Sequence, residues 1–260
     1  GPTASGKSAL ALDVARNLNG VIINADALQV YRELRILTAR PLEEELAQAP
    51  HRLYGHVPGS EGYTVARWLQ DVAQVIADSW REGRLPIITG GTGLYFRALE
   101  KGLSSIPPVS QEIRDHWRSY DGDLHGELAA RDPEMARRLR PQDRQRIVRA
   151  LEVVETTGRS LLDWQQDVQA PPPLAGVEVE RVFMEVPRDE LYARAERRFH
   201  QMINAGALGE VEKVITYDPA LPMMKAIGLP ELAAHLRGET TLEEAVALAK
   251  TATRQYIKRQ

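Results

Sequence analysis

The 260-residue sequence contains no cysteine, which excludes disulfides, thiolate catalysis and cysteine-ligated zinc and fits a reducing cytoplasm. It has no apolar run near the ~20 residues needed to span a bilayer, and no signal peptide, so no membrane partner is expected. It has little net charge: 33 Lys and Arg against 36 Asp and Glu leave −3. The chain as a whole is not drawn to nucleic acid, and any such site must be a local basic patch. No internal repeat is visible, and no low-complexity tract beyond the three prolines 171–173. An initiator Met is also missing. The chain begins inside a motif, so its natural start, and the strand expected before that motif, are expected upstream of residue 1. What is present, 43% apolar and 27% charged residues, is ordinary for a globular enzyme with one large domain or a domain carrying an insertion.

The opening stretch GPTASGKS fits the phosphate-loop pattern G-x-x-x-x-G-K-[ST] at Gly1, Gly6, Lys7 and Ser8. In such a loop, here Gly1, Pro2, Thr3, Ala4, Ser5, Gly6, Lys7 and Ser8, backbone N–H groups turn inward around an anion. Lys7 adds a point charge, Ser8 can hold Mg²⁺, and the following helix contributes its N-terminus. The pattern specifies a diphosphate with Mg²⁺ and no more.

Around the loop the periodicities alternate. Residues 8–18 predict a helix with Leu10, Val14 and Leu18 in phase, and GVIINA predicts a buried strand ending just before Asp26. Thr64 caps a helix carrying Val65, Trp68, Leu69, Val72, Ile76 and Trp80, closed by Gly83. LPIIT is a further strand running into GGTG and a helix from Leu94. After Pro107 and Pro108 the pattern turns helical and Arg-rich to about residue 165. VERVFMEV (179–186) predicts another strand, and 189–206 a helix. The expected fold is therefore α/β: a P-loop NTPase-like parallel sheet core, 1–106 with 172–260, interrupted by an inserted helical domain, 107–171.

A motor or switch NTPase needs a Walker-B strand ending in an acid. LPIIT runs into Gly90 instead, whereas GVIINAD ends in Asp26, at the sheet edge that faces the ligand crevice in open α/β folds. Asp26 has three readings: a Mg²⁺ ligand, a base for an acceptor nucleophile, or a plain turn residue. GGTGLYF does not make a dinucleotide site, because Phe96 stands where the third glycine belongs. The stretch 131–149 carries seven arginines against Asp132, Glu134 and Asp143. It is either a phosphate-contacting face or an ordinary solvated helix.

These motifs, with DALQVY (26–31), TARP (38–41), APHRL (49–53), GGTGLYF (90–96), QRIVRALE (145–152), RRF (197–199), ATRQ (252–255) and KRQ (258–260), resemble the bacterial tRNA dimethylallyltransferases, the isopentenyl-diphosphate:tRNA transferase family, along nearly the whole chain. The sequence departs from the family at Leu37, where Gly is usual, at Ser8 in place of Thr, and at Leu229 and Pro230, where Arg or Tyr is often found. A basic segment is expected after Gln260.

The resemblance implies transfer of a dimethylallyl group from its diphosphate to N6 of adenosine 37, beside the tRNA anticodon. It implies that the loop holds the leaving diphosphate with Mg²⁺. Asp26 is then the base, Thr3 a further contact near the diphosphate, and Arg198 a second cation on it. Arg198 has support of its own: it lies on the inward stripe Leu191, Ala195, Met202, with no acid three or four residues away. An anion ligand and a distant carboxylate both satisfy such an arginine. The resemblance further implies contacts to the tRNA anticodon stem-loop at Asp26, Ala27, Leu28, Gln29, Thr92, Arg114, Gln145, Arg146, Ile147, Val148 and Arg149. It places the protein in the cytoplasm, and a monomer is expected. A nucleotide-dependent kinase, prenyl transfer to free AMP or ADP, and a non-catalytic RNA-binding ATPase share the loop. The two enzymes do not explain the basic insertion, and the ATPase lacks its Walker-B acid.

Overall fold

The computed structural model describes residues 1–167 and 171–260. The chain divides into two compact units: Gly1–Arg97 with Glu178–Gln260, and Ala98–Val177. In chain order the first elements are α1 (Lys7–Asn17), β1 (Gly20–Asn24), α2 (Glu43–Leu46), β2 (His51–Arg52), α3 (Val65–Arg81), β3 (Leu85–Thr89) and α4 (Gly93–Lys101). The strands form one parallel sheet in the order β2-β1-β3, with Ile22 beside His51 and Ile87, and Asn24 beside Thr89. Every residue of β1 is buried, as its unbroken apolar run requires of a central parallel strand.

Helix α1 lies close to the sheet through small residues. Ala11 and Ala15, flanked by Leu12, pack against Ile22 and Ile87. Of the expected stripe, Leu10 and Val14 are half-buried and Leu18 is 59% exposed. Ala11 and Ala15 are the buried residues of this helix. Helix α3 starts at Thr64, whose hydroxyl accepts from Arg67 N. It buries Trp68, Val72, Ile76 and Ser79, while Trp80 is 46% exposed. Eleven residues at about 100° each bring Ser79 back in line with Trp68; the twelfth carries Trp80 off the face. The Trp68 indole stacks on Tyr95 at 4.3 Å and donates to Asn24 O at 2.9 Å, tying the helix to the end of β1.

This unit also holds α10 (Arg188–Asn204), α11 (Ala207–Val214), a 3-10 turn (Pro222–Lys225), α12 (Leu229–Leu236) and α13 (Leu242–Arg259). The predicted strand over 179–186 is not formed. No residue of 179–186 lies in a strand, and Val182 and Phe183 are each 65% exposed. Apolar β-branched content alone does not make a strand without a ladder partner. Met184 from this segment lies against Gly1.

The second unit holds α5 (Gln111–Ser119), α6 (Leu124–Arg131), α7 (Pro133–Arg138), α8 (Arg144–Thr157) and α9 (Leu161–Gln166), and no strand among its described residues. Its core gathers Trp117, Leu128, Ile147, Leu151 and Leu161. Side-chain caps from Ser110, Asp123, Asp132, Asp143 and Ser160 start all five helices. No helix among the described residues is long and apolar enough to cross a membrane.

Candidate active site

A cavity of about 980 Å³ opens within the first unit at the carboxyl ends of β1 and β3. Its floor is the loop from Thr3 to Ser8. Ala4 (φ 62) and Gly6 (φ 92) are both left-handed, which turns successive N–H groups toward one side. Gly6 is also the N-cap of α1, a position where a side chain would be strained. Lys7 Nζ bends back to donate to Pro2 O at 2.5 Å. Ser5 is buried, and its hydroxyl has no partner among the described residues. Gly1 and Pro2 do not line the cavity; Gly1 abuts Met184.

Asp26 enters just past β1. Its N–H donates to Asn24 Oδ1 at 2.9 Å, and its Oδ1 accepts from Leu28 N at 2.9 Å. Asn24 in turn donates to Asp26 O and Leu53 O. One carboxylate oxygen is therefore spent on a turn, while Oδ2 faces the Gly90–Gly91 edge, 3.7 Å from where a Cβ on Gly91 would stand. The turn reading of Asp26 is met by Oδ1, and the residue also lines the cavity.

Gly90 holds this edge together. A Cβ there would overlap the carbonyl carbon and oxygen of Ala25 and come within 2.8 Å of its Cα. Gly90→Ala is expected to cost about 2–4 kcal/mol. In a chain of this size that lowers the melting temperature by roughly 4–16 °C. Calorimetry would contradict the packing if the variant melted within about 2 °C of the parent.

Arg198 reaches the loop from α10, where Leu191, Ala195, Phe199 and Met202 anchor the buried face. It is half-buried, donates to Thr3 Oγ1 at 2.8 Å, and forms no ion pair among the described residues, whereas Arg194 pairs with Glu190 at 2.5 Å. Burial lowers the Arg198 guanidinium from its ordinary value and Asp26 raises it.

Burial pulls the Lys7 ammonium down to about 8; Asp26 opposes the shift and Arg198 adds to it. Burial, with Asp26 contributing, raises the phenols of Tyr54 and Tyr256 from their ordinary value. Burial, then Tyr31, then Asp26, does the same for Tyr95. Besides Lys7 and Arg198, the cavity wall carries Arg35, Arg40, Arg194 and Lys213, and Glu45 and Glu210 beside Asp26. Lys7 is lower in the free protein than in solution, and a bound anion restores its proton. Binding of inorganic diphosphate above pH 8 is then expected to take up protons. Calorimetry in buffers of different ionisation enthalpy measures this uptake; proton release would contradict it.

The expected tRNA contacts fall in different settings. Ala27 N donates to Thr92 Oγ1 at 3.0 Å, which joins the ends of β1 and β3. Gln29 lines the cavity but its amide donates to Thr38 O and Ala39 O, bracing the 35–41 segment. In the second unit Gln145 and Arg146 are exposed and Arg149 is half-exposed. Arg146 pairs with Asp143 at 3.0 Å and Arg149 with Glu152 at 3.3 Å. Ile147 and Val148 are buried, Ile147 completely. Their side chains belong to the core of the unit, because positions three and four residues apart, not five in a row, share a helix face. Arg114 is half-buried with Nε unpartnered among the described residues. The arginine excess is partly neutralised locally, with Arg131 on Glu127 and Arg138 on Glu134, while Arg137 and Arg140 are exposed without an ion pair among the described residues.

Several lining residues escaped the sequence reading. Thr3 N donates to Gln260 Oε1 at 2.7 Å, and Gln260 and Tyr256 of α13 stand beside Gly91 and Asp26. Glu210 of α11 accepts from three backbone N–H groups of the 35–41 segment. Leu37, standing where the family has Gly, does not take a left-handed backbone; Ala39 does, at φ 52.

The IPP transferase family model matches residues 29–260. The tRNA dimethylallyltransferase of Azorhizobium caulinodans is 53% identical over 267 residues, spanning 100% of this chain and 85% of its own length. That of Nitrobacter hamburgensis is 51% identical, spanning 100% and 84%. Among solved structures, a eukaryotic dimethylallyltransferase acting on tRNA superposes with a TM-score of 0.84 at 29% identity, over 100% of this chain and 67% of that one. The full-length tRNA isopentenylpyrophosphate transferase of Bacillus halodurans gives 0.65 at 33% identity, over 100% and 83%. The fold is the P-loop NTPase-like α/β fold of these neighbours, and with half its residues shared along its whole length with such relatives, the chain belongs to the IPP transferase family.

Proposed function

We propose that the protein transfers a dimethylallyl group from dimethylallyl diphosphate to N6 of adenosine 37 in the tRNA anticodon stem-loop, releasing diphosphate. The observation that carries the proposal is the convergence of Thr3, Lys7, Asp26 and Arg198 on one cavity in a chain of this family.

In the proposed reaction the bond between the allylic carbon and the diphosphate oxygen breaks, and its electron pair stays on the oxygen. The loop N–H groups, Lys7, Arg198 and the Thr3 hydroxyl stabilise that charge as it develops. The N6 lone pair, delocalised into the ring and weakly nucleophilic, forms the new C–N bond, and its proton passes to the Asp26 carboxylate. The base must leave the loop stack to reach this carboxylate. Gln145, Arg146, Arg149 and Arg114 are proposed to hold tRNA backbone, and Asp26 to Gln29 with Thr92 to meet the extruded nucleotide.

No cluster of three or more metal-ligating side chains exists among the described residues. The hard oxygen of Ser8 nevertheless suits Mg²⁺, which binds through one or two protein oxygens plus substrate phosphates. When bound it would add positive charge on the departing diphosphate. The proposed working form is a cytoplasmic monomer.

Labelled dimethylallyl diphosphate, Mg²⁺ and unmodified tRNA test the proposal. Label is expected in tRNA carrying A37 and absent from the same tRNA carrying G37. ATP consumption without prenyl transfer would point to a kinase or ATPase, and labelling of free AMP alone to a nucleotide prenyltransferase.

A further inference from the structure

One carboxylate in the cavity wall belongs to none of the roles above. Glu210 sits on α11 beside Ala207, Val211 and Val214, all buried, and is itself buried. Its Oε1 accepts from Arg35 N at 2.8 Å and Ile36 N at 2.6 Å, and its Oε2 from Leu37 N at 3.0 Å. Three consecutive backbone donors thus close around a single side chain from more than 170 residues away. A buried carboxylate is tolerated when its oxygens are filled this way.

The 35–41 segment needs an external anchor. It closes on itself through Ala39 N to Ile36 O and Arg40 N to Arg35 O, both 3.0 Å. Ala39 is left-handed, a conformation that costs free energy for a residue with a Cβ. Nothing in a helix or sheet ladder fixes the segment. Gln29 holds its carbonyls at 38 and 39 from one side, and Glu210 its N–H groups at 35–37 from the other. Thr38 and Ala39, held by Gln29, and Arg40 just past them line the cavity.

We propose that Glu210 is a positioning residue: by clamping the 35–37 backbone it fixes the 35–41 segment as the cavity wall against which the prenyl diphosphate is aligned with Lys7, Asp26 and Arg198. The functional half of this inference rests on the prenyl-transfer reading; the clamp itself does not. Glu210 also supports the half-buried Arg40 guanidinium, whose pKa it raises against the lowering effects of burial and of Arg35.

Glu210→Gln keeps the size but replaces one acceptor oxygen with an amide that donates, facing an N–H. Amide hydrogen exchange should then quicken by about tenfold or more at Arg35, Ile36 and Leu37, with β1 and α3 still protected. kcat/KM for dimethylallyl diphosphate should fall about 10–100-fold per folded molecule. Unchanged exchange at 35–37 would overturn the clamp. Faster exchange with kcat/KM within about twofold would overturn its positioning role. If the variant does not fold, the parent protein decides: slow exchange at 35–37 supports the clamp, and exchange as fast as in the exposed loops overturns it. Failure of the parent to prenylate tRNA would count against the proposed reaction and leave the exchange result standing on its own.

Discussion

Replacing Asp26 with Asn is expected to lower turnover by a factor on the order of 10²–10⁴ while tRNA affinity is kept. The substitution isolates one role. Asparagine Oδ1 can still accept from Leu28 N, so the turn after β1 survives, and Asn24 and Thr92 still fix the backbone on either side. What is lost is the acceptor for the N6 proton at Oδ2. Single-turnover transfer with saturating tRNA reads the chemical step, and filter binding reads affinity. Loss of binding with unchanged turnover on bound tRNA would make Asp26 a recognition residue.

Arg198→Ala is the second large effect expected. The side chain brings a half-buried positive charge to the loop and donates to the Thr3 hydroxyl, with no carboxylate of its own among the described residues to compensate for its removal. kcat/KM for dimethylallyl diphosphate should drop about 10²–10³-fold, the usual cost of one group aimed at developing charge. Arg198→Lys should recover part of it, because charge returns without the planar fork. The KM for tRNA should change little. If only the tRNA KM rises, Arg198 serves the nucleic acid and not the diphosphate.

Sequence legibility followed the range of the interactions. The phosphate loop, β1, β3 and α3 are local patterns, and each lies within a residue or two of its expected place. Arg198 was legible because a cation on an apolar stripe is a local contradiction. Glu210 presents the same contradiction on α11, but Lys213 three residues on offers a ready ion-pair explanation, and its actual partners are backbone groups in a distant segment. Backbone acceptance leaves no trace in side-chain spacing. The 179–186 stretch failed for the opposite reason: its composition is strand-like, but strand formation depends on a neighbour that local sequence does not name. In 145–149 the motif is continuous in sequence but not on the surface: the helix turns the Ile147 and Val148 side chains into the core and leaves Gln145, Arg146 and Arg149 toward solvent.

The central claim is that the loop lining the cavity at residues 3–8 retains a departing diphosphate while carbon moves to the acceptor. Dimethylallyl diphosphate labelled on carbon in one sample and on phosphorus in another, each incubated with the protein, Mg²⁺ and tRNA bearing A37, tests it most directly. The account predicts carbon label in the tRNA and phosphorus label in free diphosphate, in equal amounts. Phosphorus label in the tRNA, or transfer of a phosphoryl group from ATP with the carbon label left on its diphosphate, would contradict it.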